Sequence, residues 1–418
     1  MLRNFCLSAV MALLPGSNPT FAQCSSVPVE FAETCAQLQR YLERFESTVA
    51  SHWDGKKAPV AFSTELRSAN DNRGLRSLLR PGTMDGLRRE LDALSSRIGV
   101  RAVTILVGFP TLYPPFYQYN KDPEDYARVL TFYKNVMAEA RKRGLKVIIE
   151  TSVVFPTEAR DLPLGDYYAT LSESGLVAGR TQVALTIAKE LQPDWLNLGS
   201  EPDTQSALLR LRQAYSPERY AELVSAVVAQ LRKAGISGKP LIGAGIGTWE
   251  PNGTAYVRAL AGAGVDYIDL HVFTINRDFI ANTIACLDAA HAAGKGVAIS
   301  ETWLKKVTDA ELQGGGRFHT VQALRRAAVD SFYGFWAPLD SRFIDVMVKL
   351  AYWKNLYYLS PVLSNLMFAY TDFDGAGTLD LRERRRQNSA RELAALREGT
   401  LSPAGKAYAA AIAGSPPK

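Results

Sequence analysis

Two glutamates stand where an apolar run stops. Glu201 closes the stretch DWLNLGSEP, which starts at Asp194, and Glu301 closes GVAISETW, which starts at Gly296. A chain that only needed to turn would place a small polar residue or a turn former at such points. An ionisable side chain there is a candidate for proton transfer or nucleophilic attack. Facing one another across a gap, two carboxyl groups can break a glycosidic bond: one protonates the departing oxygen and the other attacks the anomeric carbon. Groups about 5–5.5 Å apart do this with retention, and groups roughly 6.5–9.5 Å apart leave room for a water and invert.

The elements that must position them repeat along the chain. From Ala58 onward, short apolar or β-branched runs alternate with helical patterns eight times. The runs start at Val60, Val100, Leu145, Asp194, Pro240, Val265, Gly296 and Asn365. Between them lie helical periods, such as Tyr126, Val129, Leu130, Tyr133, Val136 and Met137, or Tyr220, Leu223, Val224, Val227, Val228 and Leu231. Near-continuous apolar strands are those of a parallel sheet buried on both faces by helices. The fold class expected is α/β, a single (β/α)8 TIM barrel over residues 58–414. An open doubly wound sheet is the alternative, but no Gly-rich phosphate loop follows the first strand. Residues 23–57 form an N-terminal helical extension in which Phe31, Cys35, Leu38, Leu42, Phe45 and Val49 share a face, expected to cross the barrel floor. The eighth strand is expected at Asn365–Phe373, after a long helical region from Thr320 to Leu359.

In an eight-stranded barrel, strands four and seven lie nearly opposite, and catalytic side chains collect at the C-terminal strand ends. A Glu-Pro after strand four and a Glu after strand seven resemble clan A of the glycoside hydrolases, over the whole barrel. SETW and the closing LSPAGKAY (Leu401–Tyr408) are similar to segments of such enzymes. The resemblance implies Glu201 as acid/base and Glu301 as nucleophile of a retaining hydrolase of a β-linked glycoside or polysaccharide. Ser200 departs from the clan, which usually has an Asn there to hold the sugar 2-hydroxyl; a hydroxyl is shorter and offers one donor instead of two. Asn197, three residues earlier, is an alternative amide. By the same resemblance His271, at the end of strand six, orients Glu301; a capped strand-end histidine is the other reading. Trp303, Tyr370 and Trp249, just past strand ends, are candidate aromatic platforms for a sugar face, or loop packing.

Other features bound the function. The start, from Arg3 through the apolar Phe5–Leu14 to Ala22, is a secretory signal peptide over residues 1–22, too short to span a bilayer. A lipid-modified Cys24 is the weaker reading of the same leader. The protein is therefore expected to be secreted or periplasmic, where Cys24 and Cys35 can form a disulfide and Cys286 stays a buried thiol. A net charge of +6 is scattered without a basic stripe, which argues against nucleic acid. Four histidines, none in ligand spacing with another, argue against a zinc hydrolase, and no cofactor is expected. DFDGAGTLDLRE places Asp372, Asp374, Asp380 and Glu383 at calcium-loop positions, but Ala376 stands where a ligand belongs and a strand precedes it, so an acidic turn is favoured. A carbohydrate substrate and a monomer are expected. The alternatives are a barrel that binds sugar without cutting it and a transglycosylase of an envelope polymer.

Overall fold

The computed structural model describes residues 24–156, 162–209, 215–275, 277–313, 316–362, 364–373 and 380–418. The leader at 1–22 lies outside them. Eight parallel strands follow one another as β1 Ala61–Phe62, β2 Ala102–Leu106, β3 Lys146–Glu150, β4 Trp195–Asn197, β5 Leu241–Gly247, β6 Tyr267–Phe273, β7 Gly296–Trp303 and β8 Tyr358–Pro361. From β2 to β8 each pairs with its sequence neighbour, and β8 returns to β1. The seam between β1 and β2 is closed by Thr104 N–H to Thr64 O at 3.0 Å and Leu66 N–H to Thr104 O at 2.8 Å. The chain is thus an α/β protein with a closed (β/α)8 barrel.

The interior is built in layers, because side chains two residues apart on a strand share a face. Ala61, Ala102, Ile148, Trp195, Tyr267, Ala298 and Tyr358 form an apolar plug. Two residues further along, Ser63, Thr104, Glu150, Asn197, Asp269, Ser300 and Ser360 are all buried and all polar. The strands therefore change from packing to hydrogen bonding within one repeat. β5 contributes almost no bulk to these layers. A Cβ on Gly243 would come within 2.2 Å of the Tyr267 ring, and one on Gly245 within 1.8 Å of Asp269 O.

The helices follow the sequence periods. Ser216 caps the helix Pro217–Lys233 by accepting from Arg219 N–H, and Tyr220, Leu223, Val224, Val227, Val228 and Leu231 are its buried face. No described helix is long and apolar enough to cross a membrane.

Two expectations are corrected. The N-terminal helix, Ala32–His52, does bury Cys35, Leu38, Leu42, Phe45 and Val49. It runs along the flank, however, and not across the floor: Tyr41 and Phe45 meet Phe279, and Arg342 pairs with Glu46 at 2.6 Å. Its apolar stripe fills the groove between the helices Phe279–Ala292 and Ala337–Trp353. A disulfide joins Cys24 to Cys35 at its start, and Cys286 is a buried thiol. The eighth strand is Tyr358–Pro361, not Asn365–Phe373, where the chain makes a 3-10 turn over Ser364–Met367. The helix Ala337–Trp353 stops because Asn355 adopts φ 47°, a left-handed stop signal hidden by the aromatic run on either side. The layered interior yields a stability test. Gly245→Ala should abolish soluble folded protein, whereas Gly262→Ala, with open space at its Cβ, should leave the thermal midpoint unchanged or raised.

Candidate active site

The sequence around Glu201 forces an unusual turn. Glu201 has φ 56°, a conformation costly for any residue with a Cβ, and Pro202 starts the helix Pro202–Leu208 directly after it. The turn is held from below by Arg180, which is buried and donates to Gln205 Oε1 at 2.8 Å and to Leu198 O. Tyr220 Oη donates to Gly199 O at 2.8 Å, and the Gln205 amide donates to Ser200 O. Such strain at one carboxylate, supported on several sides, is typical of working sites.

Glu301 reaches the cleft by a different device. Leu270 pairs with Ile299 but His271 pairs with Glu301, so Ser300 is an extra residue in β7. Ser300 points inward, donating its hydroxyl to Asp269 Oδ2 at 2.5 Å. Strict alternation would then send Glu301 outward; the bulge resets the phase and brings it beside His271.

His271 joins the carboxylates. Its Nδ1 lies 2.7 Å from Glu201 Oε1 and 3.6 Å from Glu301 Oε2. These two oxygens stand no more than about 6.3 Å apart, the two distances laid end to end, so one substrate can meet both carboxyls. Nε2 faces Glu150 Oε1 at 3.0 Å and Ser300 Oγ at 3.1 Å. Sequence reading assigned His271 to Glu301; the structure sets it more closely on Glu201 and Glu150. Both ring nitrogens face carboxylates, which favours the protonated ring. Burial opposes this, but the charges of Glu150 and Glu301 and the bonds to Glu150 and Glu201 hold its pKa well above the usual value.

The two glutamates are driven apart. Burial pushes Glu301 up, opposed by His271 and reinforced by Glu150 and Glu201, to about 8. Burial also raises Glu201, but the hydrogen bond and charge of His271 outweigh it and leave the carboxyl below its usual range. Asp269 lies beneath them and is pushed up to about 7, chiefly by burial. It accepts from Asn197 Nδ2 at 2.6 Å and from Ser200 Oγ at 3.0 Å. Ser200 is therefore tied down and buried, and Asn197 lies in the polar layer below it.

The remaining candidates scatter. Trp249 is on the rim, donating its indole N–H to Asp203 Oδ2 at 3.0 Å. Trp303 is fully buried in the core and has no exposed face for a sugar. Tyr370 does not follow a strand, because the eighth strand lies earlier; its hydroxyl donates to Asp340, the buried partner of Lys306. Of the acidic loop, Asp374 is outside the described residues. Asp372 pairs with Arg391, Asp380 caps Glu383 N–H, and Glu383 pairs with Arg386. Three described members are thus engaged in other contacts. A cation could instead be held by Glu150, His271 and Glu301, whose ligand atoms lie within 4.8 Å of one another.

Glu150, Asp269, Arg180 and Lys305 escaped the sequence reading. Glu150 ends β3 in KVIIE and carried the same signal as Glu201 and Glu301, an acid closing an apolar run. Lys305 sits 4.1 Å over the Phe273 ring, and Glu301 and Glu201 act on it electrostatically.

No protein-family description and no curated protein matches this chain. Solved structures do share its fold. A GH5_18 protein from Streptomyces cattleya in complex with GlcNAc has 15% identity and a TM-score of 0.52, over 87% of this chain and 82% of that one. A GH5_18 protein from Bifidobacterium longum subsp. infantis has 14% identity and a TM-score of 0.51, over 87% and 80%. At such identity the likeness is one of fold, a (β/α)8 barrel aligned over most of both chains.

The raised carboxyls link folding to pH. Asp269 and Asp71 at about 7, and Glu301 at about 8, bind protons more tightly folded than unfolded. Their contribution is full below the unfolded carboxyl pKa, about 4, and fades as pH rises through 7 to 8. The melting temperature should fall steadily between about pH 5 and pH 9, and Asp269→Asn should flatten that slope; a midpoint that rises over this range would contradict the assignment.

Proposed function

We propose that this cleft is that of a retaining glycoside hydrolase, cleaving a β-linked glycoside or polysaccharide by double displacement. The observation that carries it is the pairing of Glu201 and Glu301 on one histidine. Two carboxyls with oxygens no more than about 6.3 Å apart, one favoured ionised and one favoured protonated, supply the single proton and the single nucleophile that the reaction needs. In the first step a Glu301 oxygen bonds to the anomeric carbon as the glycosidic C–O bond breaks and Glu201 protonates the departing oxygen. In the second, Glu201 takes a proton from water, the water oxygen attacks the same carbon, and Glu301 leaves as carboxylate.

With the cleft empty the proton is favoured on Glu301, the reverse of what attack requires. His271 Nδ1 lies between the two carboxyls, so one short exchange through the ring moves the proton to Glu201. The GlcNAc held by the Streptomyces cattleya barrel is in keeping with a sugar occupant. The Cys24–Cys35 disulfide supports export to the periplasm or the medium.

A barrel that binds sugar without cutting it is the second reading, favoured by Ser200, whose hydroxyl is spent on Asp269. Turnover decides between the two. Aryl β-glycosides and a polysaccharide panel should be hydrolysed, and Glu201→Ala and Glu301→Ala should each lower kcat by roughly 10²- to 10⁴-fold. A 2-fluoro glycoside should label Glu301, as read by peptide mass spectrometry; label on Glu201 would reverse the two roles. Since one proton must remain on the pair, kcat/KM should fall as pH rises past about 8.

A further inference from the structure

The turn that closes β5 throws a tryptophan back over the strand. Thr248 N–H donates to His271 O at 2.9 Å and Glu250 N–H to Gly247 O at 3.1 Å, which fixes the backbone on either side of Trp249. The indole lies across Gly247, where a Cβ would come within 2.2 Å of the ring. Trp249 meets Phe273 with ring centroids 5.9 Å apart, and Phe273 meets His271 edge-on at 6.5 Å. Phe273 is buried and Trp249 half-buried, so the row of rings runs from the histidine beside the two glutamates out to the rim.

One carboxyl anchors the polar edge of the indole, whose N–H donates to Asp203 Oδ2 at 3.0 Å. Asp203 stands two residues after Glu201, in the first turn of the helix Pro202–Leu208, so Trp249 lies on the Glu201 flank of the cleft. Asp203 Oδ1 is buried, and the Asp203 carboxyl hydrogen-bonds that of Glu250. Two carboxylates cannot make such a bond, since ionised oxygens only accept; one of the pair must carry a proton. That requirement holds whatever cations stand nearby. Among the described residues, Glu201 acts on the pair from the end of β4 and Tyr256 faces it from the helix Gly253–Gly262. Burial, reinforced by Asp203 and Glu201, pushes Glu250 up to about 7.

We infer that Asp203 and Glu250 form a proton-sharing latch, which sets Trp249 as the platform for a flat apolar face of the leaving group. This rests on Glu201 being the acid that protonates the departing oxygen, because the leaving group then lies on the same flank. Once the shared proton is lost, the two carboxylates repel each other and Glu201, and Asp203 cannot keep both the indole and Glu250. Both members of the pair are raised, so the latch is shut below about pH 7 and opens as pH rises through it. Asp203 and Glu250 are positioning residues, and Trp249 is the group that touches the substrate.

The test is fluorine NMR of the full chain labelled with 5-fluorotryptophan. Trp249 is one of six tryptophans, and its resonance is the one lost in Trp249→Phe. That resonance should shift between about pH 5 and pH 9, with a midpoint at about 7. Asp203→Asn should abolish the shift, because the amide accepts from the indole and donates to Glu250 without a shared proton; Glu250→Gln should do the same by donating to Asp203. The ligands are p-nitrophenyl β-thioglucoside, β-thiogalactoside and β-thiomannoside, sulfur-linked to resist hydrolysis, each beside its methyl counterpart. At least one aryl form should move the Trp249 resonance at about pH 6 and bind about tenfold more weakly at about pH 8, a loss that neither variant shows. A Trp249 resonance that ignores pH in the wild-type protein would overturn the latch, whether or not the variants fold, and so would one that titrates alike in all three. Aryl forms that bind no better than methyl forms would overturn the platform. Turnover of glycosides alongside any of these results sinks this inference and keeps the hydrolase; a responding Trp249 with no turnover does the reverse.

Discussion

The buried ring of His271, whose charged form its neighbours favour, is held against Glu150, Glu201 and Glu301, with the Asp269 carboxyl 3.8 Å from its Nε2. Charges of this kind are expensive to bury unless they are paired and hydrogen-bonded. The ring meets that condition only if β3, β4, β6 and β7 all deliver their ends to the same few ångströms. Closing the barrel is what makes those four ends converge. The ion cluster and the fold are therefore one problem: the sheet brings the carboxylates together, and the histidine makes their proximity tolerable.

The scaffold supports this from below. The apolar plug excludes water, and the polar layer above it converts strand positions into donors and acceptors for the site. Asp269 is its centre, taking bonds from Asn197, Ser200 and Ser300 and fixing the β4 and β7 ends at once. The strained turn at Glu201 and the bulge at Ser300 are two local departures from regular geometry, and each aims one carboxyl into the cleft. Arg180 and Gln205 hold the first; the hydrogen bonds to Asp269 hold the second.

Adjacent lysines show how position decides the use of a charge. Lys306 is wholly buried and paired with Asp340, which also accepts from Tyr370, so the cluster ties the end of β7 to the helix Ala337–Trp353. Lys305, one residue earlier, is partly exposed over Phe273, and Glu301 and Glu201 are the charges acting on it. Removing a partner from the Lys306 pair strands a charge in the core, whereas Lys305 acts on the electrostatics of the cleft.

By itself the sequence determined the repeat, the parallel barrel, the helix faces and the two acids at strand ends, because these follow from local period and from an ionisable residue closing an apolar run. Glu150 bore that same mark and could have been found. Only the tertiary structure decided the rest. Whether Glu301 faces inward depends on a bulge that pairing creates. Whether Ser200 meets a substrate or Asp269 depends on β6, and the partner of His271 depends on which strand ends arrive nearest. Trp303 and Tyr370 had the composition of sugar platforms, yet one is core and the other serves Asp340, since exposure is a property of the packed chain. The eighth strand was misplaced because aromatic residues satisfy a helix face and a buried strand equally well, and only pairing with β1 separates the two.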